Sequence, residues 1–325
     1  MEELYPNLYR IQIPLPESPL KYLNAYVIKG GARNLVIDTG LNRNACKNAM
    51  LEGLAEIGVD LETVDIFITH LHADHFGLVP QLATDQTRIY FNRPDSEIIE
   101  NWQGFDPMIE YAARNGLARE TLWEVIQQHP GYKHGTDWMP ALDKIDDGQR
   151  LTFGDYTLTC IQTPGHTRGH TCLYSPDHRF FIAGDHLLGD ITPNIQCWTD
   201  DGNPLKDYME SLDKVYDLDV ELVLPGHRRL FTNFRERITE LKRHHEHRLE
   251  EVVDILYRQS PQNAFEVASQ MKWDIAAKNW EEFPLAQKWF ATGEAISHLR
   301  MLEGEGRIVR QADNPVIVYG LGVKP

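Results

Sequence analysis

Cysteine, long apolar runs and excess positive charge are all lacking in this chain. Its 325 residues include four cysteines, Cys46, Cys160, Cys172 and Cys197, and no CxxC pair. So few thiols exclude a disulfide framework, and we interpret them as small apolar packing residues. No apolar run approaches the ~18 residues of a membrane span. The acidic start MEELYPNLYR also lacks the features of a signal peptide, so we expect a soluble, cytoplasmic protein with no membrane partner.

The formal net charge is -16 at pH 7. Such a chain repels polyanions, and sequence-independent binding of nucleic acid depends on neutralising phosphates. Nucleic acid is therefore disfavoured as a partner, although a local basic patch could override the average. The apolar content of 42% is normal for a globular protein. The length allows a catalytic domain of ordinary size and a smaller second domain.

What the chain does contain is a dense group of metal-ligand side chains in THLHADH, residues 69–75. This stretch follows the apolar run VDIFI, which predicts a buried strand with the ligands at its carboxyl end. Residues two apart in an extended segment share a face, so His70 and His72 can bind one ion. Asp74 and His75 then point towards a second ion. An accidental cluster among the 14 histidines is the alternative.

Three more candidate ligands lie beside Gly-containing turns that follow or precede apolar runs. They are His166 in TPGHTRGH, Asp185 in FFIAGDH and His227 in LVLPGH. The ordered set HxHxDH, His, Asp, His resembles the metallo-β-lactamase fold superfamily of hydrolases. This multiple match favours a metal site over an accidental cluster, but it is much less specific for the substrate, because one fold hosts many reactions.

The resemblance implies both a ligand set and a fold. The first metal would be held by His70, His72 and His166. The second metal would be held by Asp74, His75 and His227, and Asp185 would bridge both metals. The implied fold class is α/β (α+β), a four-layer αβ/βα sandwich. The oxygen and nitrogen ligands suit Zn²⁺ but also Fe or Mn, and we expect two divalent ions, with Zn²⁺ as the first candidate.

The expected reaction is hydrolysis of an ester, thioester or lactone of a small, anionic substrate. A hydroxide bridging the two metals would attack the carbonyl, with Asp74 and Asp185 as the catalytic carboxylates. The stretch TPGHTRGH is also similar to the TPxHTxGH pattern of hydroxyacylglutathione hydrolase, whose glutathione-binding C-terminal helices are not evident here. The alternative is a phosphodiesterase or endoribonuclease of the same fold.

Other polar residues lie beside the predicted ligands. Arg168, Arg228 and Arg229 could form a positive rim for an anionic substrate, although surface arginines usually pair with nearby acids. Asp38, in VIDTG, is either a turn residue or an acceptor that orients a metal-binding histidine. His170 is expected to be a hydrogen-bonding neighbour of the ligands.

The predicted elements divide the chain at residue 240. Residues 1–240 form the expected catalytic domain, interrupted at about 92–146 by an insertion of two or three helices. Trp138 and Met139 in this insertion are candidates for an apolar cap over the metals. A charged helix over 234–258 carries HHEHR, residues 244–248, which we interpret as solvent-exposed rather than metal-binding.

Residues 241–325 predict helix, helix, strand, strand, and HLRMLEGEGRIVR resembles the helix-to-wing passage of a winged helix. A C-terminal winged-helix domain resembles the β-lactamase-like endoribonuclease subfamily. This region has 11 Lys+Arg and 12 Asp+Glu, a net charge of -1, which is too neutral for a strong nucleic-acid surface. We therefore expect it to serve in packing, in a homodimer or in closure over the active site.

Overall fold

The computed structural model describes residues 1–134, 141–312 and 315–322. The chain separates into two compact units. The first comprises Met1–Asn101, Pro130–Pro193 and Asp213–Ile238, and the second comprises Trp102–His129, Asn194–Leu212 and Thr239–Pro325. Trp138 and Met139 lie outside the described residues, so the apolar cap stays a prediction. The domain boundary at residue 240 also stays a prediction.

The first unit contains two β-sheets. One consists of β1 (Glu2–Tyr5), β2 (Leu8–Pro14), β3 (Tyr22–Ile28), β4 (Asn34–Ile37), β5 (Val64–Ile68), β6 (Ile89–Asn92) and β7 (Asp143–Ile145), in that spatial order. The strands from β1 to β4 pair antiparallel, and those from β4 to β7 pair parallel. The parallel half brings the carboxyl ends of β4, β5 and β6 to one edge.

The other sheet consists of β8 (Arg150–Phe153), β9 (Tyr156–Gln162), β10 (Thr171–Ser175), β11 (Phe180–Gly184) and β12 (Leu222–Pro225). These strands also lie in chain order across the sheet. All neighbours pair antiparallel except β11 and β12, which are parallel. Consequently β11 and β12 end at the same edge, where the loops carrying Asp185 and His227 begin.

The two sheets pack face to face and form four layers with their covering helices. Phe67 and Phe180 belong to the shared core between the sheets. Met50, in helix α1 (Asn44–Glu56), belongs to a second core on the outer face of the seven-stranded sheet. Phe181 points to the other side of β11 from Phe180 and contacts Phe234, with ring centroids 5.5 Å apart. This arrangement confirms the four-layer αβ/βα sandwich.

Short helices occupy the connections of the first unit. They are α2 (Ala73–Phe76), α3 (Val79–Leu82), α4 (Arg93–Glu100), α7 (Pro130–His134) and a 3-10 turn at Leu61–Thr63. Helices α5 (Asp106–Arg114) and α6 (Arg119–Gln128) belong to the second unit, and α8 (Pro204–Val215) and α9 (Phe234–Arg258) contribute residues to both. The described part of residues 92–146 thus contains four helices, α4 to α7, rather than two or three.

The C-terminal part of the second unit has the predicted order of elements. Helices α10 (Ala264–Gln270) and α11 (Leu285–Gly304) are followed by β13 (Ile308–Gln311) and β14 (Val318–Leu321), which pair antiparallel. Trp198 stacks on Trp289 of α11 with ring centroids 3.9 Å apart. A Cβ at Gly293 would lie 2.8 Å from the Trp198 ring, so glycine at this position permits the stack. No helix within the described ranges combines the length and apolar character that a membrane span requires.

The predicted exposure of residues 244–248 is wrong for two of them. His245 is fully buried, and Arg248 is 7% exposed. The buried face of α9 contains residues at helical spacing, namely Leu241, His245, Leu249 and Val252. His245 and Arg248 are buried because they lie on this face beside apolar residues. The Nδ1 atom of His245 lies 3.2 Å from Nε2 of His298 in α11.

Candidate metal centre

The first group of candidate ligands follows β5, the strand predicted by VDIFI. His70 and His72 lie in the extended segment after Ile68, and His72 is the residue that precedes α2. Asp74 and His75 lie within α2, so the chain changes from extended to helical between the two pairs. This change turns Asp74 and His75 in a different direction, as the two-metal interpretation requires.

The second group comes from loops of the five-stranded sheet. His166 lies between β9 and β10, Asp185 follows β11, and His227 follows β12. The structure brings all seven predicted ligands together in three overlapping clusters, whose donor atoms lie within 4.8 Å of one another. The clusters are His70, His72 and His166; His70, His75 and Asp185; and Asp74, His75 and His227.

Asp185 lies between the two proposed metal positions. Its Oδ1 is 3.6 Å from Nε2 of His75, and its Oδ2 is 3.6 Å from Nε2 of both His166 and His227. On the other side of His227, the Nε2 atom is 3.3 Å from Oδ2 of Asp74. The Asp185 carboxylate therefore faces His166, a proposed ligand of the first metal, and His75 and His227, proposed ligands of the second. A bridging ligand needs this geometry.

Hydrogen bonds orient two of these histidine rings. Nδ1 of His75 is 2.7 Å from Oδ2 of Asp38, and Nδ1 of His227 is 2.9 Å from the Tyr22 carbonyl oxygen. A carbonyl oxygen only accepts, so Nδ1 of His227 donates, and Nε2 is the ring atom that faces the aspartates and is placed to bind a metal. Asp38 has φ +59° and also accepts from the Thr69 backbone N–H at 2.9 Å.

His170 contacts the backbone of the bridging residue. Its Nε2 accepts the backbone N–H of Asp185 at 3.0 Å, and its Nδ1 is 2.9 Å from the Thr163 hydroxyl. His170 is fully buried, and burial lowers its pKa well below the usual range, with neighbouring histidines adding to the effect. The neutral ring thus fixes Asp185 through its main chain.

The chemistry of the site fits divalent cations. Among the described residues, Nε2 of His75, Nε2 of His227 and Oδ1 of Asp185 are buried without a hydrogen-bond partner. Buried polar atoms are normally paired, and a cation would satisfy all three. A Cβ at Gly226 would lie 2.7 Å from Oδ1 of Asp185, so the backbone at Gly226 closes tightly on the site.

The electrostatics of the site also favour positive charge. Burial lowers the pKa of His75, but Asp38, Asp185 and Asp74 outweigh burial and raise it to about 10. The pKa of His227 is raised in the same way, because Asp185 and Asp74 outweigh its burial. The carboxylates therefore create a field that retains protons, and a metal cation binds in the same field by displacing them.

The three predicted substrate arginines have different surroundings. The Arg229 guanidinium pairs with Asp190 at 2.6 Å, and that of Arg228 donates to the Pro19 carbonyl oxygen at 2.9 Å. Arg168 is exposed on the loop that carries His166. At least two of the three guanidinium groups thus have protein partners, and a role of any of them in substrate binding stays a prediction.

Sequence reasoning missed several residues that hold the ligand loops. Thr69 contacts Asp38 and the His70 ring, with its hydroxyl 3.0 Å from Nδ1 of His70. The side-chain amide of Asn24 donates to the Pro225 and Arg228 carbonyl oxygens, on either side of His227. Thr69 adjoins the motif and offered a signal, whereas nothing in the local pattern distinguished Asn24.

Comparison with known proteins identifies the family. The chain belongs to the metallo-beta-lactamase superfamily, whose sequence profile matches residues 20–227. A solved metallo-beta-lactamase family protein from Thermus thermophilus is 29% identical, with a TM-score of 0.83 over 98% of this chain and 100% of that one. The family and its relatives identify the chain as a metal-dependent hydrolase.

Two relatives illustrate the range of the family. The Beta-lactamase-like protein 2 homolog of Caenorhabditis elegans is 27% identical over 259 residues, which span 78% of this chain and 72% of that protein. The Atrochrysone carboxyl ACP thioesterase of Aspergillus fumigatus is 25% identical over 241 residues, 74% of this chain and 62% of that protein. The superfamily fold implies divalent metal ions, typically zinc, and the His and Asp clusters described above are suited to hold them.

Proposed function

We propose that this protein is a dinuclear metal hydrolase of a small, anionic ester, thioester or lactone. The observation that carries the proposal is the position of Asp185, whose two carboxylate oxygens face histidines from both ligand groups. A thioester is favoured because one relative is named an acyl-carrier-protein thioesterase. The TPGHTRGH stretch, similar to hydroxyacylglutathione hydrolase, supports the same choice.

In this proposal the chain's residues hold and orient the reacting groups. His70, His72 and His166 would hold one ion, Asp74, His75 and His227 the other, and Asp185 both. Two such ions supply hydroxide at neutral pH and stabilise negative charge on a carbonyl oxygen. Zn²⁺ is the favoured metal, with Fe or Mn as alternatives.

Asp74 and Asp185 are the proposed catalytic carboxylates. The side chain of Asp74 is 19% exposed, which leaves it accessible to substrate. Asp38 and the Tyr22 carbonyl oxygen orient the neighbouring rings of His75 and His227. Arg168 and Arg229 are exposed on loops that carry proposed ligands, so these two and Arg228 are the proposed contacts for an anionic substrate.

The alternative function is a phosphodiesterase or endoribonuclease. The order helix, helix, strand, strand at α10, α11, β13 and β14 favours it, because a winged-helix domain has this order. The net charge of -1 over residues 241–325 counts against it, since strand binding requires phosphate neutralisation. A C-terminal winged-helix domain that forms a homodimer is compatible with either function, and the mass of the protein in solution tests the dimer.

A parallel assay separates the two functions. Purified, zinc-loaded protein is given acyl thioesters, esters, lactones, bis-p-nitrophenyl phosphate and single-stranded RNA at neutral pH. We expect turnover of a thioester or ester, whereas turnover of the phosphodiesters alone would replace the proposal by its alternative.

Alanine substitutions test the catalytic carboxylates. We expect Asp74→Ala and Asp185→Ala each to lower kcat/KM by at least about 10³-fold, because each removes a ligand and a charge from the reacting centre. Asp155→Ala is the control, since Asp155 is an exposed carboxylate in the turn between β8 and β9, away from the proposed ligands. Near-native turnover by either site variant, with full metal content, would remove that aspartate from the mechanism.

A further inference from the structure

One buried carboxylate connects the loops that carry the proposed ligands of the first metal. Asp95, in the first turn of α4, has no exposed surface. Its Oδ2 accepts the Leu71 backbone N–H at 3.0 Å and the Thr167 hydroxyl at 2.8 Å, and its Oδ1 accepts the Gly169 backbone N–H at 2.8 Å. Leu71 lies between His70 and His72, and Thr167 directly follows His166.

The surrounding structure leaves Asp95 little freedom. Its backbone N–H donates to the Asn92 side-chain oxygen at 2.8 Å, which caps α4 and fixes the first turn. A Cβ at Gly169 would lie 1.6 Å from that same Asn92 oxygen, so the His166 loop packs directly against the cap. The loop and the helix terminus therefore pack too closely for a side chain at position 169.

The two loops belong to different sheets. His70 and His72 follow β5 of the seven-stranded sheet, whereas His166 connects β9 and β10 of the five-stranded sheet. The Thr171 backbone N–H also donates to the Thr69 carbonyl oxygen at 2.9 Å, but of the three first-site histidines that bond adjoins His70 alone. Among the described contacts, those of Asp95 adjoin all three first-site histidines.

We propose that Asp95 is a positioning residue that holds His70, His72 and His166 in register to bind the first metal. Hydrogen bonds to an ionised carboxylate are stronger than those between neutral groups, and they hold both loops before the ion arrives. Preorganisation of this kind lowers the cost of ordering ligands on binding. The inference rests on the proposed function, because it uses that assignment of ligands.

This role makes a selective prediction about the two metals. The second-site histidines, His75 and His227, donate hydrogen bonds to Asp38 and to the Tyr22 carbonyl oxygen, not to Asp95. Asp95→Asn keeps the size of the side chain but sets an amide N–H against a backbone or hydroxyl donor. We expect it to weaken first-site Zn²⁺ affinity by about 10- to 100-fold and to change second-site affinity much less.

The experiment is a Zn²⁺ titration of the metal-free, full-length protein against a chromophoric chelator. Asp65→Asn is the matched control, because Asp65 is 3% exposed and accepts the Arg88 backbone N–H at 3.0 Å at the opposite end of β5. We expect native affinities in Asp65→Asn and one weakened step in Asp95→Asn. Equal affinities in wild type and folded Asp95→Asn would overturn the proposal.

A milder variant covers the case in which Asp95→Asn does not fold. Thr167→Val removes one donor to Asp95 and leaves both backbone donors in place. A severalfold loss at one of the two metal sites supports the positioning role, and unchanged affinity at both sites contradicts it. If the wild-type protein binds no Zn²⁺, Fe²⁺ or Mn²⁺ at all, the proposed function itself fails. If the wild type and the variants all bind two metals with equal affinity, only the positioning role of Asp95 fails.

Discussion

At the scale of single residues, Asp38 shows how one side chain orients His75, a proposed metal ligand. Its carboxylate accepts from His75 and from the Thr69 backbone N–H while its own backbone lies at φ +59°. Few residues other than Gly, Asn and Asp adopt this left-handed conformation, and Asn and Gly lack the carboxylate. Both the turn and the hydrogen bonds therefore favour aspartate at position 38.

Asp38→Asn should weaken binding of the second metal. Asparagine keeps the turn and one acceptor, but its amide N–H then faces either His75 or the Thr69 backbone N–H. We expect about a 10- to 100-fold loss of Zn²⁺ affinity in one step of a competitive titration, because partners that orient metal ligands typically contribute this much. Asp60→Asn is the control, since Asp60 caps the 3-10 turn outside the site. A native isotherm for Asp38→Asn would exclude the orienting role.

The ligands could be predicted from the sequence, but the residues that hold them could not. His70, His72, Asp74 and His75 lie in one short motif, where residue type and spacing both indicate a metal. Asp95 lies 20 residues after His75 in an ordinary helix start, and only the fold brings it to Leu71 and Gly169. A contact between distant segments leaves no local pattern.

At the scale of secondary structure, α11 carries a charged residue among apolar ones. Glu294 lies 3.8 Å from Arg248, and only 12% of its side chain is exposed. Burial raises the pKa of Glu294 to about 7, although Arg248 opposes the shift. The folded protein thus retains a proton on Glu294 between about pH 4.5 and 7 that the unfolded chain releases, so this group lowers stability as pH rises through that window.

Glu294→Gln should therefore stabilise the protein at high pH. We expect its free energy of unfolding to exceed that of the wild type at pH 8, by no more than about 3 kcal/mol, and the gain to disappear towards pH 5. Residual exposure and the lost pairing with Arg248 reduce the gain. Urea unfolding at both pH values measures it, with Glu303→Gln on the same helix as control. A gain that is equal at pH 5 and pH 8 would contradict the proton on Glu294.

The strands were easier to predict than the helices. Strand β11 is an uninterrupted apolar run, and strand β5 is apolar except for Asp65, because both faces of each strand are covered. The inward face of α9 instead includes His245 and Arg248, which are polar residues in a charged sequence. Their burial depends on partners in α11, His298 and Glu294, which the local sequence does not reveal.

At the scale of the whole molecule, the two-unit division follows contacts between distant segments. Within the second unit, the Phe265 backbone N–H donates to the Asn115 carbonyl oxygen at 3.0 Å, and that of Ile317 donates to Arg114 at 2.7 Å. These bonds join the segment Trp102–His129 to the C-terminal elements. The predicted boundary at residue 240 follows chain order, and chain order alone does not show that Trp102–His129 bonds to the C-terminal elements.

Removal of metal should lower the stability of the first unit. A ligand that binds only the folded state stabilises it by about 2.7 kcal/mol when its concentration is 100 times Kd. We expect chelation to lower the unfolding midpoint and added Zn²⁺ to restore it in a saturable manner, as followed by differential scanning calorimetry. Asp185→Ala should show a much smaller response. A midpoint that is indifferent to chelator and Zn²⁺ would contradict a metal bound between the two sheets.

The distribution of the proposed ligands over two sheets has a consequence for biosynthesis. The N-terminal half of the first unit contributes positions 70 to 75, but the last histidine, His227, follows the final strand of the other sheet. A nascent chain on the ribosome therefore lacks the complete set of proposed ligands until about two thirds of the polypeptide has emerged. Premature termination upstream of this point would yield a fragment with an incomplete, open set of ligands instead of an unregulated hydrolase.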